Sequence, residues 1–321
     1  MAWLLARKLA LLLLLIPALH AFGFYYALNF GPELVPGGGG ILHERSDAPA
    51  FVPTYREHLQ RAAGGDWGDV QRVPIPKLIA NPFKYSLILL GVALALTVVL
   101  GPLVGGAALS PQTGRVRPRA RLLLTLGSAV PGFFLGSLLI VALIYAARIG
   151  LGSGRGTLIP VQGFGLDAHL IVPVLTLAVR PVLSIGQITA GLLENEFQQD
   201  YLRVARSKGL SWRRLLWRHA LPNIISPVIV SMGQAVRMLV SGLILVEALF
   251  DWQGLGRMFV QVVTLSTTRR AAPVFLHPEL LSLILVFFGA LLLMADLLAN
   301  VIAYAADPRL RHTTDNRPAV A

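Results

Sequence analysis

The chain has 321 residues, 55% of them hydrophobic and 14% charged, with a formal net charge of +12. Soluble domains carry about a quarter charged residues, so this balance, with a mean hydropathy of +0.66, excludes an ordinary soluble domain and indicates an integral membrane protein. There is no cysteine, which excludes disulfides, thiol catalysis and Cys-ligated metals.

A helix needs about 20 apolar residues to cross the hydrocarbon core. The first such run covers 9–30. Arg7-Lys8 ahead of a leucine run imitates a signal peptide. The apolar run is too long for that, and Ala18-Leu19-His20 is a poor cleavage site, so the segment is predicted to stay as a helix. A long connector follows over 31–84, with six basic and six acidic residues. Gly37-Gly38-Gly39-Gly40 predicts a flexible first part, and 54–59 and 73–78 predict short helices on the membrane surface. This connector is either a disordered excursion or a cap that meets an extracytoplasmic partner.

The second run is 85–109. After it come Arg115, Arg117, Arg119 and Arg121 with no acid among them. The third run is 122–147 and the fourth 170–190. Arg180-Pro181 sits inside the fourth, where the proline predicts a kink and the arginine needs a partner or a wet cavity. A polar, basic segment spans 191–223. The fifth run is 224–250 and the sixth 279–304, before a tail with Arg309, Arg311 and Arg317.

Lys and Arg collect in cytoplasmic loops. That rule puts the N-terminus, the 115–121 loop, the 191–223 segment and the tail inside, and the charge-balanced 31–84 segment outside. The expected organisation is an all-α integral membrane protein with six transmembrane helices and both termini cytoplasmic. It comprises an N-terminal transmembrane helix at 1–30, an extracytoplasmic segment at 31–84, a five-helix core at 85–305 including the loop 191–223, and a cytoplasmic tail at 306–321.

The 191–223 segment is more than a connector. Helical signals run from about Glu194 to Ser207, with Tyr201, Val204 and Ala205 on one face. Gly209 can take a positive φ and end the helix. Ser211 can cap a second helix with Leu215, Leu216 and His219 on one side and Arg213, Arg214 and Arg218 on the other. Pro222 predicts a break before the next span. A basic amphipathic segment of this kind can also simply rest on anionic lipid.

This segment resembles the coupling ("EAA") loop of the membrane subunits of ABC importers, whose general pattern is Glu-Ala-Ala, three residues, Gly, nine residues, Ile, one residue, Leu-Pro. Ala205, Gly209, Leu221 and Pro222 fall on their positions. The resemblance is stronger to the oligopeptide/dipeptide/nickel branch, through Asp200, Tyr201, Arg203, Ala205, Arg206, Lys208, Gly209, Leu210, His219, Ala220 and Leu221. Val246-Glu247-Ala248-Leu249-Phe250 with Gly254-Leu255-Gly256-Arg257 is similar to a second pattern of that branch, with Gln253 where Pro is usual. Gly65-Asp66-Trp67-Gly68 and the tail Asp307-Pro308-Arg309-Leu310-Arg311 resemble two more.

The resemblance implies the type I ABC importer permease fold. It also implies a coupling helix around Gly209–Trp212 that docks on an ATPase, with Arg203, Ala205, Lys208, Gly209, Leu210, Ser211 and Trp212 as the coupling residues. The implied partners are a second homologous permease, two cytoplasmic ATPase subunits that use ATP and Mg, an extracytoplasmic substrate-binding protein and the lipid bilayer, with no nucleic acid. No cofactor is expected on this chain. The implied location is the bacterial inner membrane, and short peptides are the expected cargo.

Some positions depart from the branch. Gln187 and Ala190 stand where it usually carries Arg, Asp296 and Asn300 stand in exchanged order, and 263–278 does not follow its usual sequence.

Other chemistry is missing. A P-loop needs Gly-Lys-Ser/Thr, and none of Lys8, Lys77, Lys84 and Lys208 is followed by Ser or Thr, so the chain is not expected to be an enzyme. The histidines form no His-Glu-x-x-His, and no metal site is expected. Gly163-Phe164-Gly165-Leu166-Asp167 resembles the Gly-x-Gly-Asp of intramembrane proteases with one residue too many, and its Asp lies outside a span.

Arg180, Arg237, Glu247 and Asp296 are the ionisable residues within spans. Each either lines a pathway or joins helices; Glu247 and Asp296 read better as interhelical or partner contacts. The alternative function is an ion- or proton-driven secondary transporter, which predicts broken helices and midplane acids and leaves the coupling loop unexplained. A membrane-anchored scaffold would place no requirement on Gly209.

Overall fold

A computed structural model describes residues 2–31, 49–151, 159–264 and 274–306. Gly37–Gly40, Arg269-Arg270 and the tail from Asp307 fall outside these residues. Among the described residues six helices are long and apolar enough to cross a membrane.

The first crossing is α1 (Ala2–Phe30). The connector after it contains α2 (Phe51–Ala63), which includes the surface helix expected at 54–59. The second, expected at 73–78, is not a separate helix: 75–78 form the first turn of the next span. Val73-Pro74 is instead β2 of a two-residue hairpin with β1 (Asp69–Val70), turned by Gln71 and Arg72 at positive φ. The long α3 (Ile75–Ala108) starts directly after it, with a proline in its first turn, where a missing N–H costs nothing.

The run 122–147 is not one helix. It is α4 (Pro118–Ala129) and α5 (Gly132–Ala146), separated at Val130-Pro131, both with extended backbone. A residue before proline is driven out of the helical region and Pro131 has no amide to continue the ladder. By contrast α6 (Ile171–Glu196) runs unbroken through Arg180-Pro181, where the proline is expected to kink the span.

The loop helix expected from Glu194 to Ser207 is divided. A turn at 197–199 separates the end of α6 from α7 (Asp200–Ser207). Beyond Gly209, α8 (Trp212–Arg214) passes through a π-helical turn at Leu215–Ala220 into α9 (Leu221–Leu249). Pro222 therefore does not break the chain before the fifth span. In the wider turn the Leu221 amide bonds to the Leu216 carbonyl, and this i→i+5 spacing moves the preceding carbonyls away from the proline ring. A short α10 (Leu255–Val263) and the last crossing, α11 (Pro278–Ala306), complete the chain.

Two apolar clusters hold the bundle. The larger joins α3, α6, α9 and α11 around Leu89, Leu177, Leu239, Leu243, Phe250, Trp252 and Ile284. The smaller lies at the α7 end of the bundle and contains Leu193, Leu202, Leu215, Ala220 and Ile224. α3 and α6 lie in close contact where Gly101 and Gly105 face Ile185 and Thr189. A Cβ on Gly101 would lie 2.7 Å from Ile185, and one on Gly105 2.6 Å from Thr189. This is the small-xxx-small spacing that lets membrane helices touch. Large apolar residues on α1, α3 and α5, such as Leu13, Val99, Leu138 and Val141, stay exposed, as lipid-facing or partner-facing side chains do.

Candidate functional site

The segment 200–222 is held by a defined set of contacts. Gly209, at φ +83°, ends α7. The Gly209 amide bonds to the Arg206 carbonyl at 3.0 Å and the Leu210 amide to the Ala205 carbonyl at 3.4 Å. These two bonds make a Schellman motif with glycine at its left-handed position. Ser211 stands at the start of α8, but its side chain makes no capping bond.

The loop is anchored at several points. Leu202 is buried and Ala205 half-buried against Leu215 and Ala220, so α7 packs through Leu202 and Ala205. Tyr201 and Val204, expected on the packed face with Ala205, are exposed. The Trp212 ring stacks on Phe197 at 4.4 Å. Arg206 donates to the carbonyls of Pro111 (3.0 Å) and Gln112 in the α3–α4 connection. Tyr201 donates its phenol to Glu196, and the Asn223 amide bonds to both. Desolvation and the Glu196 carboxylate push the Tyr201 phenol up to about 12, so it remains a donor at neutral pH. Arg121 meets Glu194 at 2.6 Å, and Glu194 also accepts the Val116 amide. Of the expected coupling residues, Arg203, Lys208, Gly209 and Ser211 are exposed, and Ala205, Leu210 and Trp212 are half-buried. His219 is half-buried on the same side as Leu215 and Leu216, consistent with packing.

The intramembrane ionisable residues separate into different roles. Glu247 is fully buried. Its carboxylate accepts the Ser86 hydroxyl at 2.6 Å and the Gly256 amide at 2.6 Å, while Ser86 also receives the Leu255 amide at 2.8 Å. The pair Glu247–Ser86 thus caps α10 and ties it to α3 and α9, which gives the Val246–Phe250 and Gly254–Arg257 patterns one shared purpose. Arg237 on α9 reaches Asp296 on α11 at 3.2 Å, an ion pair between adjacent helices. Asn300 turns back to the Asp296 carbonyl.

Arg180 differs from these. It is exposed, and its Nε donates to the Ser128 carbonyl at 3.2 Å, at the end of α4. Below it on α6, Gln187 bonds to Ser128 and Thr125. On α9 the exposed residues Gln234, Arg237 and Ser241 form a second polar stripe. A cavity of about 150 Å³ lies between the stripes, lined by Pro131, Gly132, Thr176, Arg180 and Ser241 among others. Exposed polar residues at membrane depth face water or another subunit, because lipid does not solvate them.

Asp167 sits in the connection before α6, where it accepts the His169 amide and lies 2.6 Å from the His169 ring. These contacts hold its carboxyl below the usual range. It caps a short turn and has no place in a pair with Asp296. Among the described residues no group of His, Cys, Asp and Glu could hold a metal ion.

Sequence reasoning missed the Arg180–Ser128 contact and the α4–α5 break. Val130-Pro131-Gly132, inside an otherwise apolar run, was the available signal.

The model of the family described as binding-protein-dependent transport system inner membrane component matches residues 97–312. The chain is similar to the oligopeptide transport system permease protein AppB of Bacillus subtilis, at 28% identity covering 82% of this chain and 81% of that one. It is 31% identical to the oligopeptide permease protein OppB of Mycobacterium bovis, over 81% of each chain. It is also 31% identical to the glutathione permease protein GsiC of Salmonella paratyphi A, covering 83% of this chain and 81% of that one. With the six apolar helices, these matches make the chain a multi-pass transport subunit of the bacterial inner membrane with the type I ABC importer permease fold, and not an enzyme. Such an importer works with an ATPase and a substrate-binding protein, and this chain belongs to the family of binding-protein-dependent transport system inner membrane components.

Proposed function

We infer that this permease carries short peptides inward as one half of a heterodimer with a second, homologous permease, driven by two ATPase subunits docked at the loop 200–222. The observation that carries the coupling reading is the braced loop. Its α7–Gly209–α8 corner is closed by the Schellman motif and held by Arg206, Trp212 and Tyr201. A flexible strap would absorb a push; a corner fixed on both sides passes it on to α6 and α9. Arg203, Lys208, Gly209 and Ser211 are exposed there for contact with the ATPase. With this loop on the cytoplasmic side, six crossings put both termini in the cytoplasm, and α2 and the β1–β2 hairpin face the substrate-binding protein.

ATP can shift such a transporter only through its different affinity for the two states. ATP closure of the ATPase pair moves the coupling loops together, and the bundles rock open on the opposite side. The polar stripes of α6 and α9 then line the path. Peptide cargo is supported by the names of the oligopeptide and dipeptide relatives.

The test is affinity purification of the tagged chain in mild detergent, followed by identification of what accompanies it. A second six-helix permease and P-loop ATPases should co-purify, and the ATPases should be lost with Gly209→Trp. A stable chain that arrives alone would overturn the reading.

A further inference from the structure

Arg180 presents an unusual arrangement within the membrane. Its one hydrogen bond among the described residues is from Nε to Ser128, so within these residues the terminal nitrogens of the guanidinium have no acceptor. Among the described residues no acidic side chain lines the adjoining cavity. A free cation at this depth is costly unless water or an anion reaches it.

The groups around it are also donors. α5 begins at the cavity with Gly132 and Phe133. The first amides of a helix have no acceptor within it, and here Pro131 supplies no side-chain cap and the first turn has no acid. The helix dipole adds positive potential at that end. Thr176, which also lines the cavity, is only 3% exposed, and its hydroxyl has no hydrogen-bond partner among the described residues. A guanidinium fork and free helix amides thus border one small cavity that Thr176 also lines, and the planar fork matches a carboxylate.

We propose that the cleft at the α4–α5 break is a carboxylate-binding subsite on the translocation path, formed by Arg180, the amino end of α5 and Thr176. Its place on the path rests on the transport reading above. Its affinity for anions does not. The carboxylate is that of the cargo, either its C-terminus or an acidic side chain. The subsite is met after delivery by the substrate-binding protein, so it screens cargo a second time.

The absence of cysteine permits a direct test. In the assembled complex, Ser241→Cys places a single thiol of this chain at the cavity. It is labelled with an anionic sulfonatoethyl and a cationic trimethylammonioethyl methanethiosulfonate, and this chain's modification is followed by mass. Adding Arg180→Gln should lower the anionic-to-cationic rate ratio about tenfold, and Arg180→Lys should retain most of it. An unchanged ratio would overturn the subsite.

A second arm measures ATP-driven uptake of tri-alanine, its C-terminal amide and Ala-Glu-Ala amide, each relative to the unmodified complex. Selective loss of tri-alanine uptake in Arg180→Gln supports recognition of the C-terminus. Loss of both carboxylate-bearing peptides supports recognition of either source. Equal loss of all three indicates a structural role and overturns the subsite. If the unmodified complex transports none of the three, the peptide reading fails, and the labelling ratio still decides the cleft.

Discussion

The Glu247 carboxylate and the Gly256 amide, 2.6 Å apart, join the end of one membrane-spanning helix to the start of a short one. The acid stands nine residues before the amide, and Ser86 from α3 completes the cap at 2.6 Å. A buried charge without such partners would be strongly unfavourable, so the three groups depend on one another. Glu247→Leu leaves the Ser86 hydroxyl and the Gly256 amide without their acceptor, at about 1–3 kcal/mol for each group. The purified protein should unfold at a clearly lower temperature. Glu247→Gln keeps an acceptor oxygen and should fall between the two. Equal thermal stability of the leucine variant and the parent would remove the capping role.

Gly209→Val tests the loop in a different way. The residue sits at φ +83° with open space around the position of a Cβ. The substitution therefore introduces backbone strain of about 1–2 kcal/mol without a steric clash. Membrane insertion and helix content should persist while ATP-driven uptake is lost. Parent-level uptake with Gly209→Val would detach the corner from coupling.

Much of this architecture was legible in the sequence because membrane helices announce themselves by length. Runs near 9–30, 85–109, 170–190, 224–250 and 279–304 all lie in observed helices. Gly209 was legible because only one residue type takes its conformation cheaply. Two discrepancies, at Pro131 and Pro222, lie at prolines. Pro131 breaks a span, whereas Pro181 and Pro222 lie within continuous helical structure. A π turn just ahead of Pro222 accommodates it, and at the α4 end an α6 side chain distant in the chain takes up the Ser128 carbonyl. Partners far apart in the chain, such as Ser86 and Glu247, leave no periodic trace. Glu247 could be flagged as an intramembrane acid, but its cap could not be read.

Arg237 and Asp296, 3.2 Å apart, give an interhelical pair suited to a double-mutant cycle. Arg237→Ala and Asp296→Ala should each lower thermal stability. The double variant should lose less than the sum, with a coupling energy of about 0.5–3 kcal/mol. Strict additivity would mean that the two charges do not stabilise the α9–α11 contact.

The face opposite the coupling loop should respond to acid through His277. Burial holds its imidazole below the ordinary value of 6.5, against the opposing pull of Glu279 and Asp69. Its Nδ1 lies 3.8 Å from Glu279, which also receives Arg61 of α2 at 2.8 Å. A histidine with a depressed folded pKa binds its proton more readily in the unfolded chain. Its contribution to stability is therefore present in full above about pH 6.5 and is lost as pH falls through the lowered folded value. Thermal unfolding of the purified protein from pH 8 to 5.5 should show a level region followed by a decline. His277→Gln removes one titrating group and should make that decline shallower while the level region persists. An equal decline in the variant would assign the acid response to another group.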